Sequence, residues 1–503
     1  MFQKTMCMTL LAVAIGIPFM ATAQESRSIT VVVPEQPDSM ESCNAATSNI
    51  SRVLSRNVNE SLTLIDPSNG EITPYLALSW ERVSDLTWRF KLRENVKFHD
   101  GADFNADAVV FNIERLMNKN LDCSTRTVAF GGLDLTARSV DPTTVEISTG
   151  TASPIFPTLA STIKLVSPNT PVEITRTSIG TGPYQLDSWR QGENVQLKRF
   201  DGYWGDAPQV EKVTYVWRSE SSIRAAMVAA GEADLSPYIA RQDATNTETD
   251  TAYLNAETSN MRIDTTVAPL TDARVRKALN LALDREALRT AIFGESTVPA
   301  AQLVTEAVLG YNPELKLWEY NPEEAKRLIA EAKADGVDVT VPMTIIARPN
   351  IYPNASEAVE ALMAMWGEVG LTFAAQNFEI ADWLKYLRKP FPENIGPNVQ
   401  QEQHDNGKGD AIFTIYNKYH SQGTVSKLND PKLDALIEKG QAATGEERKA
   451  AFQEVFRYLH EDIVADVPLF HMVGYARISP NIVWTPNLQT NNEINLSEIT
   501  FKN

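Results

Sequence analysis

Apolar positions along the chain recur at two periods. From Thr87 to Leu92, Trp88, Phe90 and Leu92 alternate with Thr87, Arg89 and Lys91, the two-residue repeat of a strand with one buried face. VQLKRF (195–200) and VEKVTYVWR (210–218) alternate in the same way, and SITVVVPEQP (28–37) reads as a strand stopped at Pro34. Elsewhere the period lengthens to that of a helix. Asn321 stands as an N-cap, Pro322 takes the first helical position and Glu324 completes a capping box. A stripe of Ala325, Leu328, Ile329 and Ala332 follows, and Gly336 ends it. Thr444 and Glu447 repeat the box ahead of Phe452, Val455, Phe456, Leu459 and Ile463. His460 falls beside that stripe and, lacking partners, reads as an ordinary surface histidine. A strand at 340–347, a helix at 356–369 stopped by Gly370, and a strand resuming at Leu371 make a βαβ unit, which predicts adjacent parallel strands. The alternation of strands with capped helices predicts a mixed α/β protein.

One stretch invites a chemical reading. KFHDGADFNADAVVFNIERLM (97–117) sets His99 beside Asp100 and Gly101, ahead of an apolar face of Val109, Val110, Ile113, Leu116 and Met117. A metal site needs further ligands at ligand spacing, and no second His or Cys stands there. The stretch therefore reads as a turn, with Gly101 free to take a positive φ and Asn105 capping the helix. No metal site and no cofactor is expected.

The first residues, MFQKTMCMTLLAVAIGIPFMATAQ, place Lys4 before an apolar run and Ala21-Thr22-Ala23 after it. This is the pattern of a secretory signal peptide, residues 1–23, cleaved after Ala23. Its core is too short for a membrane anchor. Cys7 stands early in the segment rather than behind the small residues, which disfavours a lipid anchor. No later apolar stretch is long enough to cross a bilayer, so an exported, soluble protein is expected. A chain of 503 residues exceeds one ordinary core, so two or three lobes are expected. Lys plus Arg number 46 against 64 Asp plus Glu, a formal net charge of −18. Such a surface argues against nucleic acid and anionic lipid as partners. Cleavage leaves two cysteines, Cys43 and Cys123. In an oxidising compartment an even pair suggests one disulfide; the alternative is two free buried thiols.

Several stretches taken together resemble one family. They are LALSWERVSDLTWRFKLRENVKFHDGADFNADAVVFNIER (76–115), GTGPYQLDSWRQGENVQLKRFDGYWGDAPQVEKVTY (180–215), LTDARVRKALNLALDREAL (270–288), YNPEEAKRLIAEA (320–332) and DPKLDALIEKG (430–440). In this order they resemble the periplasmic solute-binding proteins of the peptide/nickel type, family 5, which serve ATP-driven importers. The resemblance covers essentially the whole exported chain. It implies a two-lobe α/β periplasmic binding protein, class II-like, with an extra small subdomain in the N-terminal lobe. The main lobe would use residues 25–61, 179–264 and 474–503, the subdomain 62–178, and the second lobe 265–473. The hinge crossings would lie near Asp264 and Val473. The expected partners are a small-molecule or peptide solute and the membrane permease of an ABC importer. A monomer in the periplasm, without direct membrane insertion, is expected.

The family's second lobe usually carries a segment D-x-x-L-x-x-W-x-x-D, whose later acid holds a peptide's amino group in dipeptide-binding members. Set on GDAIFTIYNKYHSQGTVSKLNDP (409–431), Asp410 takes the first place, the tryptophan place falls near Asn417 and the later acid near His420. In this register the amine-holding acid is missing, which sets the chain apart from simple peptide binders. If 411–420 continues as a strand, Tyr416, Lys418 and His420 share one side and Asn417 and Tyr419 the other. The first side is then a candidate surface for an anionic or sugar-like group. Arg348, at the carboxyl end of the βαβ strand, is a second candidate, because a guanidinium grips a carboxylate or phosphate through two parallel bonds. The plainer alternatives are a solvated Lys418 and an Arg348 paired with a surface acid. Asp38, Ser39 and Asn44 follow the first strand, where family members line the cleft; the alternative is a simple polar loop.

The same residues bear on other function classes. A secreted glycoside hydrolase would use paired carboxylates, but with 64 acids pairs say nothing. No GxSxG elbow, HExxH helix or P-loop occurs. The five histidines, His99, His404, His420, His460 and His471, are scattered. A chemosensory binder and a metal-chelate binder would share the two-lobe design. The reading is therefore a non-enzymatic binder that captures a peptide, peptide-like, opine or sugar-type solute for import.

Overall fold

The computed structural model describes residues 1, 27–37, 39–44, 49–66, 71–130, 133–349, 351–393, 395–407, 409–488 and 494–502. The signal segment beyond Met1, and Asp38, lie outside them. Among the described residues one eleven-stranded mixed sheet runs through the molecule. Its order is Phe373–Asn377, Met343–Ala347, Asn398–Asp405, Asp250–Ile263, Asp466–Ile478, Leu235–Ile239, Ser28–Val33, Lys212–Trp217, Asn194–Arg199 and Tyr184–Arg190, with Val298–Pro299 pairing Asp466–Ile478 off this path.

Two long strands join the halves. Asp250–Ile263 pairs with Asp466–Ile478 from Asp250↔Arg477 to Arg262↔Asp466. At one end Leu235–Ile239 flanks them; at the other Asn398–Asp405 does. Each half closes over its own apolar cluster. One gathers Val31, Val33, Tyr184, Val213, Tyr215 and Leu235. The other gathers Met261, Ile263, Ile345, Val399, Val467 and Leu469 beneath the helices Ala273–Leu281, Pro322–Ala334 and Ala355–Glu368. The βαβ unit is present: Met343–Ala347 and Phe373–Asn377 are parallel neighbours joined by Ala355–Glu368, with Gly370 at φ +91° in the stop.

A separate four-stranded sheet, in the order Ala77–Arg82, Thr87–Leu92, Thr144–Ser148 and Thr136–Asp141, carries the helix Ala106–Met117. Phe90, Leu92, Val109, Ile113 and Ile147 fill its core. Asn105 caps the helix by accepting from the Ala108 amide at 3.0 Å. The FHDG segment is a turn with Gly101 at φ +87°. Asp100 accepts from Ser167 Oγ at 2.7 Å and the His99 ring meets the Gly182 carbonyl at 2.9 Å. The GTGPY and YWG motifs meet one buried acid: Glu60 accepts from Thr181 Oγ1 at 2.8 Å, Tyr203 Oη at 3.0 Å and Trp204 Nε1 at 2.8 Å. A Cβ at Gly180 would stand 2.0 Å from the Val58 carbonyl oxygen, so this close approach requires glycine.

Cys43 and Cys123 are joined in a disulfide with a Cα–Cα distance of 4.6 Å. Beside it the buried Glu41 and Arg115 pair at 2.8 Å. Together they fasten the loop after the first strand to the smaller sheet's domain.

Three local expectations are corrected. Asn321 caps its helix through the Glu324 amide at 3.0 Å, but its own amide donates to Leu281 O and the Glu324 carboxylate turns to Arg327, so the box is half formed. Thr444 makes no side-chain cap. His460 is not a plain surface residue: it is half-buried, its ring centroid 5.1 Å from that of Trp318. Replacing Cys43 and Cys123 by Ser frees a loop with a sequence separation of 80. The double variant is expected to lose about 4 kcal/mol of unfolding free energy by chain entropy, measured by urea denaturation; an unchanged midpoint contradicts this.

Candidate functional site

Strands from both halves turn their carboxyl ends to one gap. Ser28–Val33 leads through Pro34 to Glu35. On the other side Met343–Ala347 leads to Arg348, Phe373–Asn377 to Glu379, and Asn398–Asp405 ends on Asp405; these three are mutually parallel. Open α/β sheets bind ligands at such ends. Arg348 is half-buried. Its amide donates to Gln401 Oε1 at 3.0 Å, and Gln401 is held in turn by Tyr352 Oη and Ala355 O, each at 3.0 Å. Its guanidinium carbon lies 5.9 Å from the Trp383 ring centroid. Burial lowers the Arg348 pKa from its ordinary value, while Glu35, Glu379 and Glu257 pull it back up. The interaction with Glu35 therefore crosses the gap. Ile155 and Phe413 each pack against both the small domain's core and the helical cluster of Leu303, Ile415 and Phe452.

Glu257 reaches the gap from the connecting strands. Leu254 pairs Val473 and Thr258 pairs His471, so residues 255–257 stand against Met472 alone, a bulge that re-aims its side chains. Asn406 N donates to Ala256 O at 2.6 Å, and Glu257 accepts from the Gln403 amide. Glu257 and Asp405 are direct cross-strand partners. Next to the bulge, Thr258 Oγ1 lies 2.8 Å from His471 Nδ1 and accepts from Asn406 Nδ2 at 3.1 Å.

The expected strand over 411–420 is instead the helix Ile412–Tyr419. Ile412, Ile415 and Tyr419 turn inward at helical spacing onto a cluster with Leu433, Phe452 and Val455. The alternation that put Tyr416, Lys418 and His420 on one side therefore does not hold. Lys418 pairs with the buried Glu402. The His420 ring stacks on Tyr416 at 4.5 Å and reaches Glu438 at 3.3 Å. The Asn417 carbonyl accepts from Val425 N at 3.2 Å. These partners belong to residues 265–473, and one of them, Glu402, lies on the strand Asn398–Asp405. Asp410 is buried and held by Arg448 through two bonds of 3.0 and 2.9 Å.

The sheet position next to the βαβ unit belongs to Asn398–Asp405. Set on this strand, the L-x-x-W-x-x-D part of the pattern falls on Val399, Glu402 and Asp405. An acid thus stands in the later place after all, and Glu402 replaces the tryptophan. Glu402 lies in a buried ionic layer with Arg262 and Lys418. Burial alone would raise its pKa, but Arg262 and Lys418 hold it below the ordinary value. Tyr419 Oη donates to Asp466 Oδ2 at 2.5 Å, and burial pushes Asp466 up to about 6. Lys427 donates to Asn398 Oδ1 at 2.8 Å and burial pulls it down to about 8.

The loop after the first strand is fastened rather than open. Ser39 Oγ accepts from Glu41 N at 3.0 Å and donates to Arg176 O at 3.4 Å. The Asn44 amide lies 3.0 Å from the carbonyl oxygens of Cys43 and Asp122, to which its nitrogen donates. Glu35, Glu257 and Asp405 were missed in the sequence; Glu35 and Asp405 stand just past or at a strand's carboxyl end and Glu257 on a bulge in mid-strand, signals visible only once the strands and their pairing are known. Among the described residues no three His, Cys, Asp or Glu side chains gather as a metal-binding group, and no helix is long and apolar enough to cross a membrane.

Two half-molecules sharing a sheet, with charged strand ends meeting between them, define a two-lobe solute-binding protein. The chain belongs to the bacterial extracellular solute-binding proteins, family 5, whose middle region matches residues 71–423. As such it is the solute-capturing component of an ABC importer. It is 29% identical over 450 residues to the dipeptide-binding protein of Escherichia coli K12, covering 82% of this chain and 83% of that one. It is 24% identical over 449 residues to heme-binding protein A of Haemophilus influenzae, covering 82% and 81%. The fold matches the periplasmic binding protein DppA of Helicobacter pylori, solved with the peptide STSA, at a TM-score of 0.80 and 18% identity, covering 95% and 98%.

Burial holds His471 and His99 down at about 4 from 6.5. Both are neutral in the folded protein, so their contribution to stability is complete above pH 6.5. It is lost as pH falls towards 4, where the unfolded chain gains protons first. Asp466, raised from 3.8 to about 6, contributes the opposite slope, so a variant comparison is needed. His471→Gln is expected to flatten the decline in unfolding free energy between pH 6.5 and 4 by about 1 kcal/mol per pH unit. A profile parallel to wild type contradicts this.

Proposed function

We propose that the gap binds a short peptide-like zwitterion, with its carboxylate on Arg348 and its amino group at Asp405. The observation that carries this reading is the placement of Arg348: it follows one lobe's strand and interacts with Glu35 of the other. A guanidinium matches a carboxylate through paired charge-assisted bonds. Arg348 and Asp405 stand at the carboxyl ends of neighbouring parallel strands, Met343–Ala347 and Asn398–Asp405, and so at the same end of the sheet. The peptide ligands named for the E. coli and H. pylori relatives support the same class.

The lobes would follow the divisions 25–61 with 179–264 and 474–503, 62–178, and 265–473. The bulge at 255–257 moves the proposed hinge from Asp264 back towards Glu257, opposite Met472. Export would use the signal at residues 1–23, as befits a family of extracytoplasmic binders. No catalytic step is proposed, because the solute is handed on unaltered.

Isothermal titration with a neutral dipeptide such as Ala-Ala tests the site. Arg348→Met is expected to weaken binding by about 10–100-fold, the worth of hydrogen bonds to a charged group. Asp405→Asn is expected to weaken it by about 10-fold or more. Wild-type affinity in both variants contradicts the assignment.

A further inference from the structure

The strand Leu235–Ile239 runs parallel to Ser28–Val33, so its carboxyl end faces the same gap. Just past it, Arg241 opens a single 3-10 turn, Arg241–Asp243. That turn is fixed to the first half: Ala240 N donates to Ser221 Oγ at 2.6 Å, and Arg477 Nη2 donates to Asp243 O at 2.8 Å. Opposite it, in the second half, the π-helical turn Arg289–Phe293 ends on Gly294, at φ +102°. A Cβ on Gly294 would stand 2.7 Å from Arg241 Cδ and 2.9 Å from its Nε. The arginine stem thus rests on backbone that a side chain at 294 would cover. Two residues on, Ser296 Oγ lies 2.6 Å from Tyr475 Oη.

The two contacts straddle the proposed hinge. Val298 and Pro299 pair with His471 and Phe470 on one side of Met472. Tyr475 stands on the other side, paired with Ile239 and Ala252. Phe293 belongs to the second half's apolar cluster, and Ala476, next to Tyr475, to the first half's. A rotation of the halves about the bulge therefore changes both contacts. The 294–296 turn also shares a packed body with Arg348. The Phe293 ring lies 5.7 Å from that of Tyr352, whose Oη accepts from Gln401 Nε2 at 3.0 Å, and Gln401 Oε1 accepts from the Arg348 amide at 3.0 Å. Asn354 Nδ2 donates to Ile292 O at 2.9 Å. A solute that draws Arg348 towards the first half carries the turn with it. In the same arrangement Arg348 interacts with Glu35 across the gap, so these are contacts of halves drawn together.

We propose that Arg241 and Tyr475 form a latch that closes on the Gly294–Ser296 turn when the halves come together and slows their reopening. They are positioning residues: they act on the solute's release without touching it. The inference goes beyond the zwitterion reading, and only its first probe, Ala-Ala, rests on that reading.

The test is stopped-flow association and dissociation of Ala-Ala with the full-length exported protein, followed by tryptophan fluorescence. Tyr475→Phe and Ser296→Ala are each expected to speed dissociation about threefold and to leave association within about twofold, because a bond made only on closure acts on release. The double variant is expected to release no faster than either single one, since all three lack the same bond. Arg241→Ala is expected to speed release about threefold further when added to Tyr475→Phe. A merely structural role would give no such coupling between Ser296 and Tyr475. Wild-type dissociation in both Tyr475→Phe and Arg241→Ala, or Ser296 and Tyr475 effects that multiply in the double variant, overturns the latch. If Ala-Ala does not bind the wild-type protein, the zwitterion reading fails, and small-angle scattering of the unliganded protein decides the latch. Arg241→Ala combined with Tyr475→Phe is then expected to raise the radius of gyration, and an unchanged value overturns the inference.

Discussion

Two strands, Asp250–Ile263 and Asp466–Ile478, are hydrogen-bonded to each other from Asp250↔Arg477 to Arg262↔Asp466, and each belongs to both halves of the molecule. A strand cannot be pulled from a sheet without leaving its amides and carbonyls unpaired, at about 1–3 kcal/mol for each buried group. The two lobes are thus tied by a ladder that resists separation. Its pairing is irregular at two places, the bulge opposite Met472 and the step between Ser259 and Asn260; the proposed hinge falls at the first. The rest of the design follows. Each lobe has its own apolar cluster, so each can move as a body. The strand ends between the lobes carry the charged groups on which the proposed site is built.

Those ends carry charge for a physical reason. Side chains within a buried strand face packed cores or the ionic layer of Arg262, Glu402 and Lys418, where an unpaired charge is strongly disfavoured. At the carboxyl ends solvent and solute are within reach, so Glu35, Arg348, Glu379 and Asp405 are tolerated there. A solute that touches only one lobe gains nothing from closure, because only differential affinity shifts the equilibrium. Arg348 interacts with Glu35 from the other half of the sheet, so a solute held at Arg348 as proposed would meet both.

Much of this was legible in the chain. The Thr87–Leu92 alternation, the Asn105 cap, the FHDG turn and the βαβ unit stand as expected, because in each the local pattern and the tertiary environment agree. The candidate site was less legible. AIFTIYNKYH is rich in β-branched and aromatic residues, yet it folds as a helix because Ile412, Ile415 and Tyr419 pack at helical spacing on a waiting cluster. The true strand, NVQQEQHD, shows little apolar alternation. One face carries Val399 and Gln401; the other carries Gln400, Glu402 and His404, all buried. A strand whose hidden face is satisfied by ion pairs and hydrogen bonds looks like a loop in sequence. Misplacing it by about a dozen residues also misplaced the acid, so Asp405 was passed over. The position of Arg348 after its strand was legible, because that strand is identified by its apolar run and helix crossover.

The central claim is that a solute held between Arg348 and the opposing lobe draws the two halves together. Lobe-to-lobe distance, measured between paired spin labels on exposed positions of each half with and without a saturating, titrated dipeptide, tests it most directly. A shortened and narrowed distance distribution on binding, lost in the Arg348→Met variant at the same peptide concentration, is the predicted result. A distribution that stays the same while the peptide is demonstrably bound to the wild-type protein would contradict it.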